Sequence, residues 1–151
     1  MRHRPGAFGA LILLSGASAA LAVPVVPASS DVTVAVTDLR SDKGHVLACL
    51  TAKPADFPDC RHDPQARKLT VAASEPLELD FGAVPDGLYA ISLIHDENSN
   101  GKLDTALMIP REGFGFSRDA PVRMGPPRFA RAAFETQGKD TRLTIRMRYM
   151  L

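Results

Sequence analysis

The sequence predicts an all-β fold, an antiparallel β-sandwich of about seven strands. Apolar residues alternate with polar ones along most of the chain beyond residue 30, and turns rich in Gly, Pro and Asp separate the alternating runs. Apolar residues at helical spacing are nearly absent. Short strands divided by polar turns pack as two facing sheets, immunoglobulin-like in architecture.

The first element is not a strand. MRHRPGAFG carries Arg2 and Arg4 ahead of the apolar run ALILLSGASAALA, which closes on Ala20, Leu21 and Ala22. This pattern predicts a cleaved signal peptide over residues 1–22, since the run is short and rich in small residues beside the roughly 20 residues of a membrane span. The expected product, residues 23–151, is a single domain, periplasmic or secreted, with no transmembrane segment after cleavage.

Along that domain, Val32, Val34 and Val36 mark the first strand, and Gly44–Ala52 (GHVLACLTA) marks the second after the RSDKG turn. Leu69 and Val71 mark a third strand, and Leu77, Leu79 and Phe81 a fourth. Past the turn-forming VPDG, with Gly87 expected at positive φ, Tyr89, Ile91, Leu93 and His95 share one side of a fifth. Leu143, Ile145, Met147 and Tyr149 alternate with Arg142, Thr144, Arg146 and Arg148 in the last. Between these two lies a long, irregular excursion from Asp96 to about Asp140. Only PPRFARAAF, residues 126–134, has the pattern of a short helix there.

Cys49 and Cys60 enclose ten residues in a chain expected to be exported, so a disulfide is expected. The spacing excludes a CxxC redox centre. The expected mature chain holds 16 Lys and Arg against 17 Asp and Glu, a near-neutral balance that argues against nucleic acid as a partner. Charge is uneven, however: residues 111–151 hold 9 basic and 4 acidic side chains.

The excursion opens on HDENSNGKLD, where polar side chains recur at every second position. Counted from Asp96, ligand positions of a calcium loop fall on Asn98, Asn100, the Lys102 carbonyl and Asp104, with Gly101 at the sharp turn. Leu107 stands where a bidentate carboxylate belongs, and Glu112 is the nearest later acid. Hard oxygen donors favour weakly held Ca2+ over zinc. The same spacing also builds an ion-free turn in which Asp and Asn side chains accept amides two residues on. Both readings stand at this point.

The run VPDGLYAISLIHDENSNGKLDTALMIPREGFGFS, followed by GPPRFARAAF and a terminal RMRY, resembles a family of bacterial secreted proteins bearing a domain of unknown function. Its signature is PxGxY, hDxNxNGxxD, IPxEGxGFS and GPPxFxxAxF. The resemblance implies an exported β-sandwich similar to transthyretin-like and carboxypeptidase-regulatory-like modules, without an assigned activity. Cys49, Cys60 and the arginines lie outside that signature.

Three function classes follow. The first is a non-enzymatic binding or structural module with a calcium-type loop. The alternative is a binder of anionic glycan, an envelope component or a small ligand. It would use Phe114 and Phe116 folded over an open end of the sandwich, together with His95, Arg128 and the other arginines of the loop and last strand. A mini-core is the plainer role for the two phenyl groups, and edge protection for strand arginines. A distant third is a hydrolase using His95, Glu112 and Ser117, although no GxSxG elbow or HExxH motif is present.

Overall fold

The strands, in chain order, are β1 (Ser29–Thr37), β2 (His45–Thr51), β3 (Arg67–Ala72), β4 (Leu77–Pro85), β5 (Gly87–Asp96), β6 (Thr105–Ala106), β7 (Ile109–Pro110), β8 (Gly113–Phe116), β9 (Phe134–Thr136) and β10 (Thr141–Arg146). A short α-helix, α1, spans Phe129–Ala132, and a 3-10 turn covers Ser117–Asp119. This is a computed structural model describing residues 25–151, so the predicted signal peptide lies outside the described residues.

Two sheets face each other, and a β-sandwich is the result. One has the order β10-β1-β4, the other β3-β2-β5-β8, with β9 pairing the start of β5. Alternation explains which faces meet. Val32, Val34 and Val36 of β1, Leu77, Leu79 and Phe81 of β4, and Ile145 of β10 pack against Val46, Ala48 and Leu50 of β2 and Ile91 and Leu93 of β5. Each large apolar side chain fully buried in this way contributes about 1.5–3 kcal/mol. A bulge at Phe81 shifts the β1–β4 register between Val32 and Thr33, which brings Val84 back to the inner face three residues later.

Four expectations are corrected. β10 runs parallel to β1, pairing Val32 with Thr141 through Thr37 with Arg146, so the sandwich is not wholly antiparallel. The turn-forming VPDG does not pair the two strands it joins: β4 pairs with β1 while β5 pairs with β2, and Asp86 carries the chain from one sheet to the other. There Asp86 Oδ1 accepts the Ser30 hydroxyl at 3.1 Å and the Gly138 N–H at 2.6 Å. Gly87 is not among the residues at positive φ. The excursion from Asp96 to Asp140 is not irregular throughout, because β8 and β9 lie end to end along the free edge of β5.

The chain closes by leaving one sheet for the other. Past β10, Met147 N–H donates to Thr37 O, and then Arg148 exchanges two backbone bonds with Phe114 of β8, at 3.0 and 2.8 Å. This crossing explains the alternation in GFGF. Gly113 and Gly115 face inward beneath the departing chain, while Phe114 and Phe116 face outward with Ile94 and Ser92.

The outer face of the second sheet is therefore covered as well. Phe114, Phe116, Phe129, Ala120, Ala132 and Ala133 form a second core over Ala90, with Phe57 packed against it. Phe57 belongs to the β2–β3 connection, which the Cys49–Cys60 disulfide holds down as expected. Closing a loop of this length is worth about 3 kcal/mol in the chain-entropy model. A buried Asp63 pins the same connection by accepting the Thr51 hydroxyl, the Gln65 N–H and the Lys53 ammonium.

Candidate functional site

The loop after β5 is built from carboxylates and carboxamides that grip backbone amides. Asp96 is buried at the strand end; its Oδ1 accepts the Asn100 N–H at 3.0 Å and its Oδ2 the Gly101 N–H at 2.7 Å. Asn98 Oδ1 takes the Asn100 N–H and Asn100 Oδ1 the Lys102 N–H, both at 3.1 Å. These are the local bonds that Asx residues make at two-residue spacing. Gly101 completes the reversal at φ 81°, a conformation that disfavours any residue with a Cβ.

Three of the expected ligand side chains meet. Asn98 Nδ2 and Asn100 Nδ2 both donate to Asp104 Oδ2, at 2.6 and 2.9 Å. These two amides, Asn100 first, hold the Asp104 carboxyl below its ordinary pKa, so it stays charged at neutral pH. Lys102 is exposed and enters the loop only through its backbone. Glu112 is buried at the other end, where Oε1 accepts the Glu97 N–H and Oε2 the Asp104 N–H, each at 3.0 Å. It clamps both ends of the loop without joining the Asn98, Asn100 and Asp104 cluster. Among the described residues no three His, Cys, Asp or Glu side chains form a metal-type group.

The catalytic combination is not assembled. His95 is fully buried, with Nε2 donating to Lys43 O at 2.8 Å and Nδ1 accepting from the Tyr149 hydroxyl at 2.7 Å. Ser117 is also fully buried; its hydroxyl donates to Ala132 O and accepts the Ile91 N–H. With Glu112 committed to loop amides, none of these three bonds to another. Of the expected ligand contacts, His95, Phe114 and Phe116 are all buried, the two phenyl groups within the second core.

Arg128 is exposed and lines a cleft of about 510 Å³ with Phe57, Phe129 and the prolines at 54, 58, 126 and 127. Several other arginines tie the fold together. Arg146 pairs with Asp38, Arg148 donates to Asp119 O, and Arg118 donates to Ala133 O.

Sequence reasoning missed Arg40, which joins three segments beside the loop. Its guanidinium pairs with Glu97, donates to Arg111 O at 2.8 Å and Leu151 O at 2.6 Å, and lies 4.5 Å from the Tyr149 ring centre. Arg40 and Ser41 pull the Glu97 carboxyl down to about 2 from 4.5. A depressed carboxyl stabilises the fold fully above its unfolded value and loses that contribution as pH falls through the folded value. The window is therefore about pH 4.5 to 2. Because Arg40 is 38 % exposed, solvent screening limits the pair to about 1 kcal/mol. Arg40→Ala is expected to flatten the acid limb of a plot of urea midpoint against pH in that window. An unchanged slope would show that the pair contributes nothing.

A second unexpected feature is the β6–β7 hairpin. Thr105 pairs with Pro110 and Ala106 with Ile109, leaving Leu107 and Met108 as a two-residue turn with φ of 49° and 68°. Both are at positive φ, which costs about 1–2 kcal/mol per residue with a Cβ. Both are almost wholly exposed, at 96 % and 94 %.

Fold and loop together define an all-β module with two cores and a polar loop end. The chain belongs to the family described as uncharacterized protein conserved in bacteria (DUF2141), whose model matches residues 34–144. That match runs from within β1 to within β10. No curated protein and no solved structure matches the chain.

Proposed function

We propose that the chain is an exported, non-enzymatic β-sandwich module, transthyretin-like in kind, with a binding or structural role in the periplasm or outside the cell. Its loop from Asp96 to Asp104 is ordered by a weakly held calcium ion. The observation that carries the reading is the meeting of Asn98, Asn100 and Asp104 at one point, above a backbone gripped by Asp96. Asp104 Oδ2 is filled by the two Asn amides, so the room for a cation lies at Asp104 Oδ1 and at the Asp96 oxygens, each of which accepts one backbone amide and keeps a second acceptor position. The disulfide and the N-terminal apolar run support export.

The experiment is calorimetric titration with Ca2+ beside thermal melting. Few charges imply a dissociation constant of about 0.1–1 mM. At about 10 mM Ca2+ mass action then stabilises the fold by about 1.5–3 kcal/mol, a melting shift of several degrees. No heat and no shift would leave the loop as an ion-free Asx turn.

The cleft at Arg128 supports the second reading, a binder of anionic glycan or a small ligand. Phe57 and Phe129 pack edge to face in its wall, 6.0 Å apart, with the arginine beside them. Salt-sensitive retention on heparin, weakened by Arg128→Ala, is the expected result. Retention unaffected by that substitution would reject the cleft as the anion site.

A further inference from the structure

We propose that the Leu107–Met108 turn is a wedge that enters the surface of a bilayer carrying anionic phospholipid headgroups. Two-residue hairpin turns with both residues at positive φ are normally occupied by Asn-Gly or similar pairs. Here two bulky apolar residues occupy those positions and point into solvent, with half-exposed Ile109 beside them.

The size of the tip decides between kinds of occupant. Two or three side chains at the end of a narrow ribbon cannot supply the roughly 800 Å² that each partner gives to an ordinary protein interface. A bilayer requires no matching shape and takes apolar groups to a depth of about 5–10 Å.

Charge agrees with that occupant. Arg111 follows Met108 by three residues, which at about 3.3 Å per residue places it roughly 10 Å behind the tip, at headgroup depth. Arg111 and Lys102 are exposed, whereas among the acids flanking the tip only Asp104 is partly exposed without a cationic partner. Asp96 and Glu112 are buried, Glu97 is bound to Arg40, and Asp104 holds the two Asn amides. The wedge does not require the calcium reading, since neither the tip nor its two basic residues supplies a side-chain ligand.

The test uses the full chain with an environment-sensitive fluorophore on Met108→Cys, and a control label on Thr144→Cys at the exposed face of β10. Cys49 and Cys60 are joined and do not react. On phosphatidylglycerol vesicles, in EDTA, the tip label is expected to shift to the blue and the control label to stay unchanged. Leu107→Asn combined with Met108→Gly suits the turn better, so it preserves the fold. It is expected to lower partitioning at least tenfold. Arg111→Ala is expected to lower it about fivefold, and only on anionic vesicles. No shift at the tip, a shift at both labels, or unchanged partitioning of the Asn-Gly variant would overturn the proposal. Lipid-free self-association abolished by that variant would instead make the tip a protein contact, and would overturn it equally.

Discussion

Glu112→Ala is expected to destabilise the fold by about 3 kcal/mol, because it strips the acceptor from two partly buried amides at once. Glu97 and Asp104 donate to the two oxygens of this one carboxylate from opposite ends of the loop. Alanine supplies no substitute, and the buried position of Glu112 restricts replacement by water. Glu112→Gln keeps one acceptor and should fall between. The urea midpoint measures the loss, and hydrogen exchange locates it. The Glu97 and Asp104 amides should exchange faster in the alanine variant while amides of β1 and β2 keep their protection relative to global stability. A loss under about 1 kcal/mol would mean that the loop is held by its Asx bonds alone.

The same carboxylate shows where reading the sequence succeeds and where it stops. Asp96, Asn98, Asn100 and Gly101 were legible because their bonds span two to five residues, a range at which spacing dictates geometry. Glu112 acts over fifteen and eight residues, so the sequence marks it as a candidate ligand without showing that it clamps the loop, and Arg40 reaches Glu97 over 57, where no local pattern announces it. Strands followed the same rule. The alternations around Val34, Leu79 and Ile145 name half-buried strands directly, since each has one inner face. GFGF was harder to read because both faces of β8 are buried. β9 has only three residues, and the parallel pairing of β10 with β1 depends on a partner more than 100 positions away.

Gly113→Ala should cost a further amount of about 3 kcal/mol, by a mechanism independent of hydrogen-bond loss at the loop. A Cβ at residue 113 would lie 2.5 Å from Tyr149 Cε1 and 3.0 Å from His95 Cβ. Neither neighbour can yield cheaply. His95 is fully buried and bonded at both ring nitrogens, and Tyr149 accepts the Arg40 N–H while its hydroxyl bonds His95. Moving the Tyr149 ring therefore breaks the contact that seats the chain beyond β10 against β8 and disturbs the Arg40 guanidinium stacked on it. Tyr149→Ala removes the obstructing ring, so in that background the cost of Gly113→Ala should fall to roughly 1 kcal/mol, a coupling that a double-mutant cycle measures. Additive losses would place the strain elsewhere, at the β5–β8 pairing itself. They would refute the view that glycine is required here by the crossing of the terminal chain.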